Sequence, residues 1–367
     1  MNPSASRRTL LAGAGALTGS LMAGGGAFAD APERKLGYAI VGLGGYANVI
    51  MPRFAECRHS RLTALVSGDP AKARRIAAGY GVPGRNIYDY GNFDRIRDNP
   101  EVDVVYVILP VALHHEYTLR AAAAGKHVLC EKPMAMNAGE AAEMVAACRA
   151  ANVKLMIGYR SWFESHNREA MRMTRAGELG PIRLVTSQHG FSIGDPAQWR
   201  LDPALSGGGS MMDMGVYSLQ SARYLTGEEP IEVAAVEQTD RSDPRFRAVE
   251  DTLLFQLRFP SGAVADGVSS YSSNHGRSRA VGAAGWLDME PATGYGGHRT
   301  RVHLDGRTRV HEPPALPLNQ FSGQLDHLSQ CVLAEAEPIV PGEEGLRDMR
   351  IIDALYQAAR ERRPVAL

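Results

Sequence analysis

A two-domain α/β fold, a doubly wound parallel sheet followed by an α/β unit with an antiparallel sheet, is predicted by three features of this 367-residue chain. Short apolar runs rich in β-branched residues alternate with helical stretches from residue 36 to about 157. After Tyr159 the runs change to period-two alternation, the mark of strands with one wet face. The length suits two cores of ordinary size with a cleft between them.

Taken in order, residues 1–29 form a unit of their own. Ser6-Arg7-Arg8-Thr9-Leu10-Leu11 is a twin-arginine pair, followed by a Gly/Ala-rich apolar run and by Ala27-Phe28-Ala29, a small-x-small cleavage site. Six glycines between Gly13 and Gly26 make a membrane anchor a poor alternative, so an export signal cleaved after Ala29 is expected, which places the mature protein in the periplasm and off the membrane. Residues 30–157 form the next unit, with strands at 36–41, 62–66, 102–109, 127–130 and 154–157 and helices at 46–57, 71–79, 114–124 and 138–151. Right-handed crossovers between such strands place a ligand at their C-terminal ends. Residues 158–344 carry a helix near 163–176, a strand near 182–189, a glycine-rich helix start at 207–210 and strands at 231–238, 252–259 and 263–270. An amphipathic helix over 345–362 and a short tail close the chain.

Charge excludes two partner classes. Lys+Arg and Asp+Glu are 40 each, and without Arg7 and Arg8 the body carries net charge −2. Such a body is not built to grip nucleic acid or anionic membranes. Cys57, Cys130, Cys148 and Cys331 show no paired spacing, so neither a disulfide nor a metal site is expected.

Four motifs carry chemistry. Gly42-Leu43-Gly44-Gly45-Tyr46-Ala47 follows a strand and opens a helix, the arrangement in which a tight turn and a helix N-terminus meet a pyrophosphate. This points to a Rossmann dinucleotide site. At the second strand tip, Ser67-Gly68-Asp69 with Lys72 offers a hydroxyl and an ammonium, which suit the 2′-phosphate of NADP(H). Asp69 leaves NAD open, but its place suits the cap of the next helix. Cys130-Glu131-Lys132-Pro133 puts one of only five lysines at a strand end. It reads either as a solvated lysine or as a cation that holds a substrate hydroxyl and acidifies a neighbouring acid–base group. In Gly207-Gly208-Gly209-Ser210-Met211-Met212-Asp213-Met214-Gly215-Val216-Tyr217, Asp213 and Tyr217 lie four apart on one helix face, as a cleft wall or with Tyr217 as a half-buried core residue.

These motifs, with Gly158-Tyr159-Arg160 and Trp199-Arg200, resemble the oxidoreductase family of glucose–fructose oxidoreductases and inositol dehydrogenases over nearly the whole mature chain. The resemblance implies a C-terminal domain with a large open, mostly antiparallel sheet and a homo-oligomer, with a dimer favoured. It implies that Lys132 and Tyr217 are catalytic with Asp213 in support. It also implies that Gly42, Leu43, Gly44, Gly45, Tyr46, Ser67, Gly68, Lys72, Tyr90, Leu109, Pro110, Leu113, His114, Glu131, Lys132, Arg160, Trp199, Arg200, Tyr217 and Tyr295 line the cofactor. The substrate would meet Lys132, Arg160, Asp213 and Tyr217; His298 and Arg301 are further candidates on a loop that could equally be solvated.

Tyr217 in place of histidine, and only Asp30–Lys35 where the glucose–fructose type carries a long arm, favour the armless aldose–aldose oxidoreductase type. The implied activity is oxidation of an aldose to its aldonolactone and reduction of a second aldose or ketose to the alditol, in a ping-pong cycle on tightly bound NADP(H). The alternatives are a redox-neutral NAD-dependent glycosidase on the same scaffold, an NADP-dependent sugar dehydrogenase with exchangeable cofactor, and a non-enzymatic dinucleotide-bound sensor.

Overall fold

The computed structural model describes residues 34–367, so the twin-arginine stretch and the Ala29 cleavage site lie outside the described residues. The first layer is a six-stranded parallel sheet: β1 (Leu36–Val41), β2 (Ser60–Val66), β3 (Ile87–Tyr88), β4 (Val104–Val107), β5 (His127–Cys130) and β6 (Leu155–Ile157) in the order β3-β2-β1-β4-β5-β6. β1 and β4 to β6 are buried throughout apart from His127, as continuous Val, Ile and Leu runs require when both faces are covered. Helices α1 (Gly45–Ile50), α2 (Pro70–Tyr80), α3 (His114–Ala123) and α4 (Ala138–Ala150) make the crossovers. The helix expected over 46–57 is cut short, because Pro52 follows Ile50 and the chain tightens into a 3₁₀ segment, Met51–Ala55.

The second layer is a nine-stranded sheet: β7 (Ile182–Gly190), β8 (Glu232–Gln238), β9 (Thr252–Arg258), β10 (Val264–Ser270), β11 (His275–Gly282), β12 (Gly285–Met289), β13 (Thr300–Leu304), β14 (Arg307–His311) and β15 (Val365–Ala366). It is mostly antiparallel, but β7 and β10 at its centre run parallel in unbroken register from Leu184↔Val264 to Gly190↔Ser270. Helices α5 (Ser165–Arg175), α6 (Pro203–Ser206) and α7 (Val216–Thr226) follow the first layer, and α7 packs across β7 and β10.

Two closing helices tie the layers together. α8 (Gln320–Leu333), which no apolar periodicity announces, crosses back to the parallel sheet. There the Tyr38 hydroxyl donates to the Leu325 carbonyl at 2.8 Å, and Asp326 accepts the Arg58 and His59 amides at 2.6 and 3.0 Å. α9 (Gly342–Glu361) starts three residues before the expected 345 and packs on α4 and β6. No helix of the described residues is long and apolar enough to cross a membrane. All four cysteines are buried and free, and no group of three His, Cys, Asp or Glu among the described residues is placed to hold a metal ion.

Candidate active site

A cleft of about 900 Å³ runs from the β1 turn to the wall of the second sheet. Its first part is backbone. Gly42 sits at φ +97°, where a Cβ would lie 2.3 Å from the Ile108 carbonyl, so only glycine makes this turn. Gly44 and Gly45 have no neighbour within 4 Å of a built Cβ, and α1 begins with no side chain capping its amides. An anion can therefore reach bare N–H groups at a helix start, which is what a dinucleotide pyrophosphate requires.

At the far end of that part, Ser67 follows the last residue of β2, its hydroxyl accepting the Asp69 amide at 3.1 Å. Asp69 caps α2 through one oxygen, Oδ1, which accepts the Ala71 and Lys72 amides at 3.0 and 2.9 Å, and the residue also lines the cleft. Ser67 and Lys72 both line the cleft, and the pair fits a 2′-phosphate. Tyr46, Tyr90, Leu109, Pro110, His114 and Glu131 line it too. The two ring nitrogens of His114 lie 2.9 Å from the Leu109 and Pro133 carbonyls, which locks the loop after β4 to the one after β5.

The second part is charged. Lys132 leaves the end of β5 and donates to both the carbonyl (2.6 Å) and the carboxylate (2.9 Å) of Asp213. Asp213 lies in a π-helical turn, Met211–Gly215, a wide turn common at functional sites. Its second oxygen accepts from Arg200 Nε at 2.8 Å and the Tyr271 hydroxyl at 3.3 Å. Burial alone would push this carboxyl up, but the Lys132 and Arg200 cations hold it well below the usual carboxylate range. The Lys132 ammonium stands 4.5 Å from the Tyr217 ring centroid, and Arg160 donates to the Tyr217 hydroxyl at 3.2 Å. His189 on β7 lies behind that ring, at 5.8 Å between centroids; burial lowers its pKa to about 3, so it is neutral. Arg160 also lies 4.9 Å from the Tyr295 ring, and Trp199 completes the rim.

The structure thus brings Lys132, Asp213, Tyr217, Arg160, Arg200, Trp199 and Tyr295 to one cleft. Four candidates stand elsewhere. His298 is turned into the protein, 3.6 Å from Glu164 and stacked on His166, so it does not line the cleft. Arg301 is on β13, paired with Asp288 at 2.6 Å on the sheet. Gly68 and Leu113 stand behind the lining, Gly68 where a Cβ would press 3.1 Å from the Tyr90 ring.

Other residues act on the site unannounced by any motif. Glu250 accepts the Gly209 and Met211 amides at 2.8 and 2.9 Å and the Tyr356 hydroxyl at 2.8 Å. It fixes the start of the turn that carries Asp213. A Cβ at Gly209 would fall 2.0 Å from the Glu250 carbonyl and one at Gly208 2.1 Å from the Tyr356 hydroxyl, which explains these two glycines. Gln320 accepts from Arg160 at 2.5 Å.

A Rossmann cradle opening onto a lysine, a carboxylate and a tyrosine defines the class of dinucleotide-dependent oxidoreductases. The chain belongs to the GFO_IDH_MocA oxidoreductase family, matching its NAD-binding Rossmann fold over residues 36–159 and its C-terminal α/β domain over residues 172–367. The NADP(+) D-xylose 1-dehydrogenase of Haloarcula marismortui is 30% identical over 347 residues, 92% of this chain and 94% of that protein. Inositol 2-dehydrogenase of Rhizobium meliloti (strain 1021) is 26% identical, over 90% of this chain and 98% of that protein. The crystal structure of aldose-aldose oxidoreductase from Caulobacter crescentus complexed with glycerol superposes with a TM-score of 0.90 at 60% identity, covering 91% of this chain and 100% of that one.

Proposed function

We propose that this protein is a periplasmic aldose–aldose oxidoreductase that keeps NADP(H) bound, oxidising one aldose to its aldonolactone and reducing a second aldose or a ketose to the alditol. The observation that carries the reading is the Lys132–Asp213–Tyr217 arrangement, a tyrosine hydroxyl faced by cations at the end of a dinucleotide cradle. The 60% identity to an aldose-aldose oxidoreductase and the NADP(+) named for the xylose dehydrogenase support the substrate class and the cofactor. The dinucleotide, when bound, supplies the hydride acceptor for the first sugar and the hydride for the second.

The protein's own part is proton transfer and charge. The Tyr217 oxygen takes the anomeric hydroxyl proton as C1 of the donor sugar becomes the lactone carbonyl. The negative charge that this oxygen carries before it takes the proton, and again after it gives the proton up, is met by the Arg160 N–H and by the Lys132 ammonium over the ring. Asp213, ionised at neutral pH, holds Lys132 and Arg200 in place without entering the proton transfer. The same proton then passes from Tyr217 to the carbonyl oxygen of the acceptor sugar, so no net proton crosses the cleft over one cycle. A sealed cycle suits export behind the twin-arginine stretch, since a protein outside the cytoplasm must reoxidise its dinucleotide where it sits.

The test is an absorbance spectrum of purified protein before and after adding glucose, with no cofactor supplied. The reduced-nicotinamide band should appear on the protein, and lactone and alditol should accumulate in equal amounts. Strict dependence on added NADP⁺ would leave an ordinary dehydrogenase, and release of aglycone from aryl glycosides would move the assignment to a redox-neutral glycosidase. Tyr217→Phe should abolish most turnover while the dinucleotide stays bound.

A further inference from the structure

Arg160 is a cation in an unusual position. It is 4% exposed, and its nitrogens reach only neutral acceptors: Nη1 donates to Gln320 Oε1 at 2.5 Å and the Gly294 carbonyl at 3.1 Å, and Nη2 to the Thr293 carbonyl at 2.5 Å. Its fourth acceptor is the Tyr217 hydroxyl, at 3.2 Å from Nη2. Among the described residues, no carboxylate stands within 4.0 Å of the guanidinium, and its buried Nε has no partner at all. A buried guanidinium held by neutral dipoles alone is expensive, and a negative charge within hydrogen-bond reach lowers that cost. Of the four oxygens that accept hydrogen bonds from Arg160, the one that can take up such a charge is that of Tyr217.

Gln320 sets this geometry. It opens α8 and is 5% exposed. Its amide oxygen accepts from Arg160, while its amide nitrogen donates to the Gly294 carbonyl at 3.1 Å, so both ends are committed and the amide orientation is settled by the network. The segment carrying Thr293, Gly294 and Tyr295 is thereby fastened to the guanidinium at the point where the guanidinium touches Tyr217.

We infer that Gln320 is a positioning residue for proton transfer: it fixes the Arg160 guanidinium on the Tyr217 hydroxyl, where Arg160 serves as the counter-ion of the deprotonated tyrosine. The inference rests on Tyr217 being the acid–base group. The charged and titratable groups around that hydroxyl and ring are Lys132 after β5, Arg160 after β6, neutral His189 on β7, Asp213 in the preceding π turn, and Tyr46 and Tyr295 across the cleft; Glu131 faces Arg160 from behind. Of these, Gln320 touches Arg160 alone.

The experiment replaces Gln320 with a near-isosteric anion. Gln320→Glu gives Arg160 a permanent counter-ion at Nη1 and so offsets the positive charge that Nη2 offers to Tyr217. In single-turnover reduction of the retained dinucleotide by an aldose, the rate rises with pH as the base is unmasked. That limb should move up by roughly one pH unit in Gln320→Glu, the lower end of what one neighbouring charge does, making the rate on its acidic side about tenfold slower. Arg160→Gln, which removes the cation and keeps an amide donor, should move the limb the same way and covers the case in which Gln320→Glu fails to fold. A readout independent of turnover is the tyrosinate ultraviolet band that Tyr217→Phe removes, which should titrate at higher pH in both variants. Limbs and bands that superpose on the wild type in folded, dinucleotide-loaded variants overturn the inference. If Tyr217→Phe itself turns over normally, the acid–base assignment falls instead, and the two failures are told apart.

Discussion

At the scale of single residues, the cleft divides its charges by task, and each task has its own test. Lys72 stands at the sheet end with Ser67, while the nearby Asp69 carboxylate is already bound to two α2 amides. Lys72→Ala should therefore raise the Kd of NADP⁺ about tenfold and leave that of NAD⁺ unchanged, since one ammonium–phosphate contact is worth on the order of 1.4 kcal/mol. Fluorescence titration of protein stripped of nucleotide measures both, and an equal change in the two would remove Lys72 from the discrimination. Asp213 has the opposite task, neutralising two cations within 3 Å. Asp213→Asn leaves Lys132 and Arg200 without a counter-charge and should cost roughly 2–4 kcal/mol in urea unfolding at pH 7, allowing for the third of Arg200 that stays wet. Because the folded carboxyl is held below its ordinary 3.8, its contribution is complete above that value and is lost only as pH falls beneath it. The gap to Asp213→Asn should stay flat across neutral pH and narrow in acid.

Among the elements, α7 presents Tyr217 to the cleft at one end and is pinned at the other. Arg223 of α7 donates to Asp348 at 2.5 Å and pairs with Glu344 at 2.8 Å, while Gln220 donates to Asp348 at 3.2 Å. Both carboxylates belong to α9, so the last helix sets the axial position of the helix that carries the tyrosine. Burial pushes Asp348 up to about 6 from 3.8, against the pull of Arg223. Between those two values the folded state holds more protons than the unfolded chain, so this residue's contribution declines as pH rises through that window and is constant above it. Glu344, also buried but held down by Arg223 and Arg347, has the opposite sign and loses its contribution on acidification. Asp348→Asn isolates the first term: thermal melts from pH 4 to pH 7 should show the wild type losing stability relative to the variant, and a constant difference would show that Asp348 is ionised throughout.

The same scale shows what a linear reading reaches. β1 and β5 have the bounds that the apolar runs at 36–41 and 127–130 mark, because strands buried on both faces must be apolar without a break. β11, His275–Gly282, and β14, Arg307–His311, escaped, since they carry arginine, histidine and glycine toward solvent at one side of the open sheet and show no apolar alternation. α8 escaped for the converse reason: its buried face includes Gln320, Ser322, Gln324, Asp326 and Ser329, polar groups that hydrogen-bond to partners more than a hundred residues away. Glu250 and Gln320 had no local signal for the same cause. The glycine turn, Lys132 and the Asp213/Tyr217 spacing were legible because each is a local pattern with a local physical need. His298 stands away from the cleft because a loop residue near Tyr295 in sequence points in whichever direction its neighbours allow, here toward Glu164.

For the molecule as a whole, the open sheet poses the remaining question. One face lies under α7, while the other exposes Val236 (67%), Leu254 (48%) and Val264 (45%). Val236, Leu254 and Val268 are direct cross-strand neighbours through β8, β9 and β10, so they form one apolar row instead of scattered points. An exposed apolar row of this kind is a candidate contact surface for another chain. A second copy is the occupant expected of an open sheet in a homo-oligomer, and two such rows meeting about a twofold axis would cover each other. Light scattering should then give the mass of two chains, and Leu254→Asp, which puts a charge in the centre of the row, should give one. Leu254 is not among the residues that line the cleft, so the Leu254→Asp monomer should keep the turnover and the bound dinucleotide proposed above. A wild-type monomer at micromolar concentration would leave the row without this partner, whereas a Leu254→Asp protein that stays dimeric would place the contact on another face.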